Sequence, residues 1–326
     1  MTSRRRALVR LGAGLLAIPL AARGQPARGL PRVALLHPAS AEGSAIYKAL
    51  VPGLAALGYV DGGTLVLEAR SGDGNPEALP GLVADLVGRK VDALIAVGPA
   101  AVKAAITATR TIPIVAIDLE SDPVQNGWMK SLARPGGNVT GLFLDLTAMS
   151  AKWLQLLREA APAARQISLL WDATTGQAQL GATRTAASAL GIRVRTVSIA
   201  DWSDFDAAVN AAMQAQTQAF VVLSSPTAFQ YSARLAEFTT RRRIPAISPF
   251  RPFAMAGGLM SYGPDLDLFF QRTAFMIDRI LKGAPVSEVP AEQPTRYELV
   301  VNLRAAEALG LALPRALLLR ADEVVR

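Results

Sequence analysis

The feature that most limits the fold of this chain is a regular alternation of short apolar runs with amphipathic helical segments. Ala93–Val97 is a continuous apolar run, as expected of a strand that is buried on both faces. Ser44–Leu57 instead repeats apolar residues at helical spacing and ends at Gly58. Strands that alternate with helices of 10 to 15 residues predict right-handed βαβ units and parallel sheets.

The alternation runs twice along the 326 residues. One run ends near residue 142, and a second runs from the helix predicted at Ala148–Glu159 to the strand predicted at Ile244–Ile247. We therefore expect an α/β fold of two Rossmann-like lobes with parallel sheets, hinged by about three crossings. The predicted domains are a signal peptide at 1–24, lobe one at 31–143 plus 258–283, and lobe two at 144–257 plus 284–326. The hinges are expected near Phe143–Asp145, Ala256–Gly257 and Ala284–Pro285.

Residues 1–24 have the layout of a secretory signal peptide. A basic segment ends at Arg10, and the apolar run Leu11–Ala22 follows. This run has 12 residues and is too short to span a membrane, which takes about 20. Ala22 and Gly24 place small residues at −3 and −1 of a cut before Gln25. We expect an exported, periplasmic protein, and the arginines at 4–6 leave general secretion and twin-arginine export both open.

Composition excludes several classes of site. The chain has no cysteine, so it has no disulfide and no thiolate nucleophile, and its single histidine, His37, argues against a histidine zinc site. The net charge of +8 falls to +3 without the five arginines of residues 1–24. Arg241–Arg243 is better explained as a solvated helix end than as part of a nucleic-acid surface. The mature chain carries no phosphate loop, dinucleotide fingerprint or nucleophile elbow. The sequence thus predicts no cofactor, no metal and no nucleic-acid partner.

Several segments in fixed order resemble the tryptophan/tyrosine-type family of ABC transporter substrate-binding proteins. They are Ser131-Leu132-Ala133-Arg134-Pro135-Gly136-Gly137-Asn138-Val139-Thr140-Gly141, Gly258–Asp265, Glu292–Leu303 and Arg320–Val324. The resemblance covers essentially the whole mature chain. It implies a type I periplasmic binding-protein fold, a small-molecule ligand held between two lobes, and ABC permease membrane subunits as partners, with the chain acting as a monomer. The first strand departs from the family's Ser/Gly-rich loop, because it ends in His37-Pro38-Ala39-Ser40.

Ligands of open parallel sheets bind at the carboxyl ends of the strands, so the strand-end loops are the candidate site. The expected ligand-binding residues are Ser40, Tyr47, Pro99, Ala100, Glu120, Asp122, Ser224, Ser225, Phe250, Tyr262 and Asp265. The helix opening at Gly98–Ala101 suits a carboxylate, with the hydroxyls of Ser224 and Ser225 beside it. Glu120, Asp122 or Asp265 is expected to take an ammonium group. The aromatic side chains of Tyr47, Trp171, Phe250 and Tyr262 are candidates for stacking, although a core position is the simpler interpretation of Trp171.

These observations favour an exported solute-binding protein of an ABC importer, which binds an amino acid or an aromatic acid by domain closure and performs no chemistry. Two alternatives remain open at this level. One is a sensor subunit whose closed form is read by a membrane receptor. The other is an exported α/β hydrolase-type enzyme that uses His37 or the acids, although a polar strand-end histidine is the simpler interpretation of His37.

Overall fold

The structure is a computed structural model that describes residues 29–199, 205–214 and 216–326. The predicted signal peptide at 1–24 therefore lies outside the described residues. Within the described ranges, no helix combines the length and the apolar character needed to cross a membrane.

The first sheet contains five parallel strands in the order β2-β1-β3-β4-β5. The strands are β1 (Arg32–His37), β2 (Val66–Ser71), β3 (Ala93–Val97), β4 (Ile114–Asp118) and β5 (Val139–Phe143). Chain order reverses between β1 and β3, which are neighbours in the sheet. This reversal is the point at which open α/β sheets form a crevice at their strand ends.

Helices cover both faces of this sheet. They are α1 (Ala45–Ala56), α2 (Leu79–Gly88), α3 (Gly98–Ala108) and α10 (Leu266–Leu281). A 3-10 turn at Pro76–Ala78 precedes α2, and another at Val286–Glu288 follows α10. Successive residues of β1 alternate between the two faces, as the pleat requires. Val33 and Leu35 pack with α1 and α10, whereas Ala34 and Leu36 pack with α2 and α3. Burial on both sides explains the unbroken apolar run of β3.

The second sheet contains seven strands in the order β12-β11-β10-β9-β8-β6-β7. The strands are β6 (Gln166–Asp172), β7 (Arg193–Ile199), β8 (Ala219–Val222), β9 (Ala246–Ser248), β10 (Met260–Pro264), β11 (Tyr297–Asn302) and β12 (Glu323–Val325). Every pairing is parallel except that of β10 with β11. The expectation of parallel sheets is therefore right for all pairs but this one.

The helices of the second lobe also form two layers. They are α4 (Leu146–Ala160), α5 (Ala178–Ala189), α6 (Phe205–Gln214), α7 (Pro226–Gln230), α8 (Ser232–Arg241), α9 (Arg251–Met255), α11 (Leu303–Ala308) and α12 (Arg315–Leu319), with a 3-10 turn at Ala173–Thr175. The sequence predicts one helix over Thr227–Thr240. The structure instead begins one helix at Pro226 and a second at Ser232.

The chain crosses between the sheets three times, as expected, but two crossings differ in position from the predicted hinges. The first lies between β5 and α4 and agrees with Phe143–Asp145. The second lies between β10 and α10, at Pro264–Leu266, because β10 pairs within the second sheet. Ala256–Gly257 precedes that strand and lies inside lobe two. The third lies between Glu292, which bridges to Leu142 of β5, and β11 at Tyr297.

These crossings change two boundaries of the predicted domains. The sequence predicts that residues 258–283 belong to lobe one. The helix α10 does pack on the first sheet, but the strand β10 belongs to the second sheet. Of the segment 284–326 expected in lobe two, the part up to Glu292 lies against the first sheet. Thr140 Oγ1 donates to the carbonyl oxygen of Val289 at 2.8 Å, and Ala284–Pro285 thus lies inside lobe one.

Gly141 should be intolerant of any side chain. It pairs with Ala116 across β5 and β4 at φ +147°, and a Cβ there would lie 1.9 Å from the carbonyl oxygen of Ala116. Because the obstacle is sheet backbone, Gly141→Ala is expected to lower the free energy of unfolding by about 3 kcal/mol or more. Denaturant unfolding followed by circular dichroism measures this effect.

Gly81→Ala is the matched control for that measurement. Gly81 is exposed in α2, and a Cβ there meets no atom within 4 Å. Alanine has the higher helix propensity, so this variant should gain up to about 1 kcal/mol. Equal stability of the two variants would contradict the role assigned to Gly141.

Candidate functional site

A cavity of about 250 Å³ lies between the two lobes. It is bounded by the carboxyl end of β1 and β3 on one side and by the segments that follow β8 and β9 on the other. Lobe one lines it with His37, Ser40, Gly43, Ser44, Ala45, Ile46, Val97, Ile117, Leu119, Glu120, Leu266 and Phe270; lobe two lines it with Ser225, Pro226, Phe229, Gln230 and Phe250. A solute held here contacts both lobes at once.

One side-chain hydrogen bond joins the lobes at the cavity. Ser224 Oγ, after β8, donates to Glu120 Oε1, after β4, at 2.6 Å. Both side chains are buried, with 0% and 2% of their surface exposed. Gln179 holds Ser224 in place, since its side-chain amide accepts from the Ser224 N–H at 2.6 Å and donates to the Ser224 carbonyl oxygen at 3.0 Å. The serine is thus fixed within lobe two and bonds across to lobe one.

Glu120 is buried and has acidic neighbours. Burial and the neighbouring Asp118 carboxylate raise the pKa of Glu120 well above its ordinary value, with a further contribution from Asp172. Asp118 is itself fully buried, and burial raises its pKa as well, although its Oδ1 accepts the N–H groups of Glu120 and Ser121 at 3.0 Å each. The pair therefore holds protons more tightly in the folded protein than in the unfolded chain.

His37 is neutral at physiological pH. Burial lowers the pKa of its imidazole to about 4. The Ala39 N–H donates to His37 Nδ1 at 3.0 Å, so the imidazole proton resides on Nε2. The histidine thus presents an uncharged N–H at the end of β1.

Aromatic side chains form the apolar part of the cavity. Phe229 and Phe250 pack edge to face, with ring centroids 5.1 Å apart, and Phe270 adds a third ring from lobe one. No lysine or arginine belongs to the lining. In the part of the chain that the structure describes, no group of histidine and acidic residues is arranged to hold a metal ion. The site is suited to recognising a small, partly apolar solute through shape and hydrogen bonds.

The structure brings five of the eleven predicted residues to this cavity. Ser40, Glu120, Ser225 and Phe250 line it, and Ser224 adjoins it through Glu120. Ser225 is also the N-cap of α7, where its Oγ accepts the Ala228 N–H at 2.8 Å.

Two predicted residues line a different groove. Pro99 and Ala100, at the start of α3, face a more open groove of about 780 Å³ on the opposite side of the lobe contact. Gly98 separates the two spaces, because it abuts Pro226 so closely that a Cβ would lie 2.8 Å from the proline ring. The helix start predicted to hold a carboxylate is therefore placed outside the cavity.

The other four predicted residues have structural contacts elsewhere. Tyr47 packs on the core of lobe one, and Asp122 accepts the N–H groups of Val124 and Gln125 in a turn. Tyr262 stacks on Tyr297 with ring centroids 5.9 Å apart, because β10 and β11 are antiparallel neighbours.

Asp265 caps α10 by accepting the Leu268 N–H.

Sequence reasoning missed part of the lining. Phe229 and Gln230 were assigned to the interior of one long helix, whereas α7 is short and ends at the cavity. Phe270 and Leu266 were overlooked because α10 follows a crossing and not a strand of its own lobe. The strand-end loop His37–Ser40, by contrast, is expected from the sequence to contact a ligand, and His37 and Ser40 both line the cavity.

Glu120→Gln should change how stability depends on pH. Because the folded pKa of Glu120 is raised, its contribution to stability is greatest at low pH and is lost as the pH rises through that pKa. The glutamine keeps an oxygen that can accept from Ser224 and carries no charge. We expect a higher melting temperature than wild type at pH 8, and a difference that shrinks towards pH 5.

Thermal unfolding between pH 5 and pH 9 measures this difference. Glu307→Gln, at an exposed position of α11, is the control and should follow the wild-type profile. Parallel profiles of Glu120→Gln and wild type would argue against a buried, proton-retaining carboxyl.

Comparison with known proteins shows what this architecture is similar to. The family model described as ABC transporter substrate binding protein matches residues 32–325. A curated relative, the tyrosine-binding protein of Clostridioides difficile, is 23% identical over 272 residues, which are 81% of this chain and 76% of the relative.

Solved structures with the same fold include an ABC domain in complex with L-Trp from Streptococcus pneumonia. It has a TM-score of 0.82 at 22% identity and covers 91% of this chain and 100% of its own. A conserved domain protein from Vibrio cholerae also scores 0.82, at 24% identity and the same coverage. The ligand-free, open structure of CD0873 from Clostridium difficile scores 0.63 at 22% identity, covering 91% of this chain and 99% of its own. The match to the family model over nearly the whole described chain shows that this protein belongs to the ABC transporter substrate-binding protein family, with the type I periplasmic binding-protein fold.

Proposed function

We propose that this chain is the exported solute-binding protein of an ABC importer, which holds an amino acid or an aromatic acid between its lobes by domain closure and releases it unaltered to the ABC permease membrane subunits. The observation that carries the proposal is the interlobe cavity. Its walls come from both lobes, so a bound solute adds contacts that an open form lacks. A ligand shifts a two-state equilibrium only by such a difference in contacts.

The lobe contact supports closure as the mechanism. The Ser224–Glu120 hydrogen bond and the contact of Pro226 with Gly98 can exist only when the lobes are together. The contrast between the two TM-scores, 0.82 to an L-Trp complex and 0.63 to an open, ligand-free structure at equal identity and chain coverage, is what a change in lobe angle would produce. Three crossings allow such a hinge motion with little change inside each lobe.

The lining supports a solute with an aromatic or other apolar part. Phe229, Phe250 and Phe270 supply ring surfaces, and the relatives named above include a tyrosine-binding protein and an L-Trp complex. The periplasmic location follows from the signal peptide predicted at 1–24, and a monomer suffices because a single chain supplies the whole cavity.

A thermal-shift panel on the mature chain tests this function. We expect L-tryptophan, L-tyrosine, L-phenylalanine or an aromatic acid such as benzoate to raise the melting temperature. A solute present at 100 times its dissociation constant should add about 2.7 kcal/mol to the free energy of unfolding. Sugars are the negative set.

Chromatography of the solute after prolonged incubation completes the test. Full recovery of the unchanged solute is the expected result. A shift produced by sugars but by none of the amino acids or aromatic acids would overturn the solute class, and conversion of the solute would overturn the binding function in favour of an enzyme.

A further inference from the structure

The cavity has an uneven distribution of hydrogen-bond donors, concentrated where β1 leads into α1. His37 is 7% exposed and lines the cavity. Its Nδ1 accepts the Ala39 N–H, and its Nε2–H has no acceptor within the described residues. Because His37 lines the cavity, this N–H can donate to a ligand held there.

The start of α1 adds further donors at the same wall. Ser44 caps the helix by accepting the Tyr47 N–H, and its own hydroxyl donates to the Ala41 carbonyl oxygen. The N–H groups of Ala45 and Ile46 are then the first two of a 12-residue helix and have no acceptor among the residues described. Both residues line the cavity, and the positive end of the helix dipole favours an anion there.

The opposite wall of the cavity carries an acid. Glu120 is the other titratable residue of the lining besides His37. It belongs to the lobe contact with Ser224, and its electrostatic neighbours are the acids Asp118 and Asp172. That wall carries no positive charge, whether its carboxyl groups are protonated or ionised, whereas the wall of His37 has N–H donors and the positive end of a helix dipole, so an anionic group is better accommodated there.

We propose that the carboxylate of the solute binds between His37 Nε2–H and the N-terminus of α1, and that uncharged donors hold it without a lysine or arginine. The inference rests on the proposed function and deepens it, because it fixes the orientation of the solute. The carboxylate faces lobe one, and the apolar part lies against Phe229 and Phe250 of lobe two. His37 is then the residue that selects acids over their neutral amides.

This subsite has a distinctive pH signature. Burial keeps the pKa of His37 near 4, so the histidine does not change charge between pH 5.5 and pH 8. A donor that stays neutral gives an affinity for acids that does not follow a histidine titration in this range. If a protonated histidine held the acid, it would lose its proton as the pH rose past 6.5, and the affinity of the protein for acids would fall.

Titration calorimetry with two acid and amide pairs tests the proposal: L-tryptophan with L-tryptophanamide, and benzoate with benzamide. In the wild-type protein we expect at least one acid to bind at least tenfold more tightly than its amide. His37→Leu removes the donor and should weaken acid binding by about 10- to 100-fold, the range for a hydrogen bond to a charged group, with little effect on the amide.

His37→Gln is the matched variant, since its side-chain amide can place an N–H near the position of Nε2. It should recover most of the preference for the acid. Circular dichroism and thermal unfolding establish that both variants fold, and the recovery in His37→Gln separates donation from a general loss of packing.

The outcomes are distinguishable. If an acid binds and His37→Leu keeps the full preference over the amide, the subsite is wrong and the binding function stands. If the preference follows a titration near pH 6.5 that is absent from His37→Leu, and so does not come from Glu120 or Asp118, a charged histidine holds the acid and the neutral-donor proposal is overturned. If neither acid binds the wild-type protein, both the subsite and the carboxylate solute are overturned.

Discussion

The hydrogen bond from Ser224 to Glu120 joins the carboxyl ends of two separate sheets at the cavity between the lobes. Each partner lies just after a buried parallel strand, in a loop that is not part of the packed sheet. Gln179 holds the backbone of the serine through two hydrogen bonds, so the donor of this contact is fixed within lobe two. This hydrogen bond therefore links the two walls of the cavity.

The electrostatics of the cavity follow from the same arrangement. Burial of Glu120 against Asp118 makes its charged form costly and raises the pKa of both carboxyl groups, and no basic side chain lines the cavity to offset this. The wall of β1 and α1 is the reverse, with uncharged N–H donors and a helix N-terminus. A solute with one acidic end and one apolar end finds a matching polarity across the cleft.

The sequence could predict the layers of this fold because each strand and helix carries a strong local pattern. It also predicts that strand-end loops line the space between the lobes, and Ser40, Glu120, Ser225 and Phe250 do line the cavity. It could not predict which side of the lobe contact each loop would face. Pro99 and Ala100 follow the carboxyl end of a parallel strand, as Ser225 does, yet they line the other groove, beyond the contact between Gly98 and Pro226.

Long-range pairing accounts for the remaining differences. Tyr262 stacks on Tyr297 because β10 and β11 pair antiparallel, a contact between segments 35 residues apart in sequence that no local pattern encodes. Phe270 reaches the cavity because α10 returns to lobe one after that strand. Both depend on the positions of the crossings, and these carry little sequence signal of their own.

The distance between the lobes, measured with and without solute, is the most direct test of closure around a ligand. The chain has no cysteine, so Thr107→Cys and Gln177→Cys, exposed positions that face each other across the open groove from lobe one and lobe two, can carry two spin labels. Double electron–electron resonance should give a long or broad distance distribution in the solute-free protein and a single shorter distance with a solute that raises the melting temperature. Identical distributions in the two states would contradict closure of the lobes around a ligand.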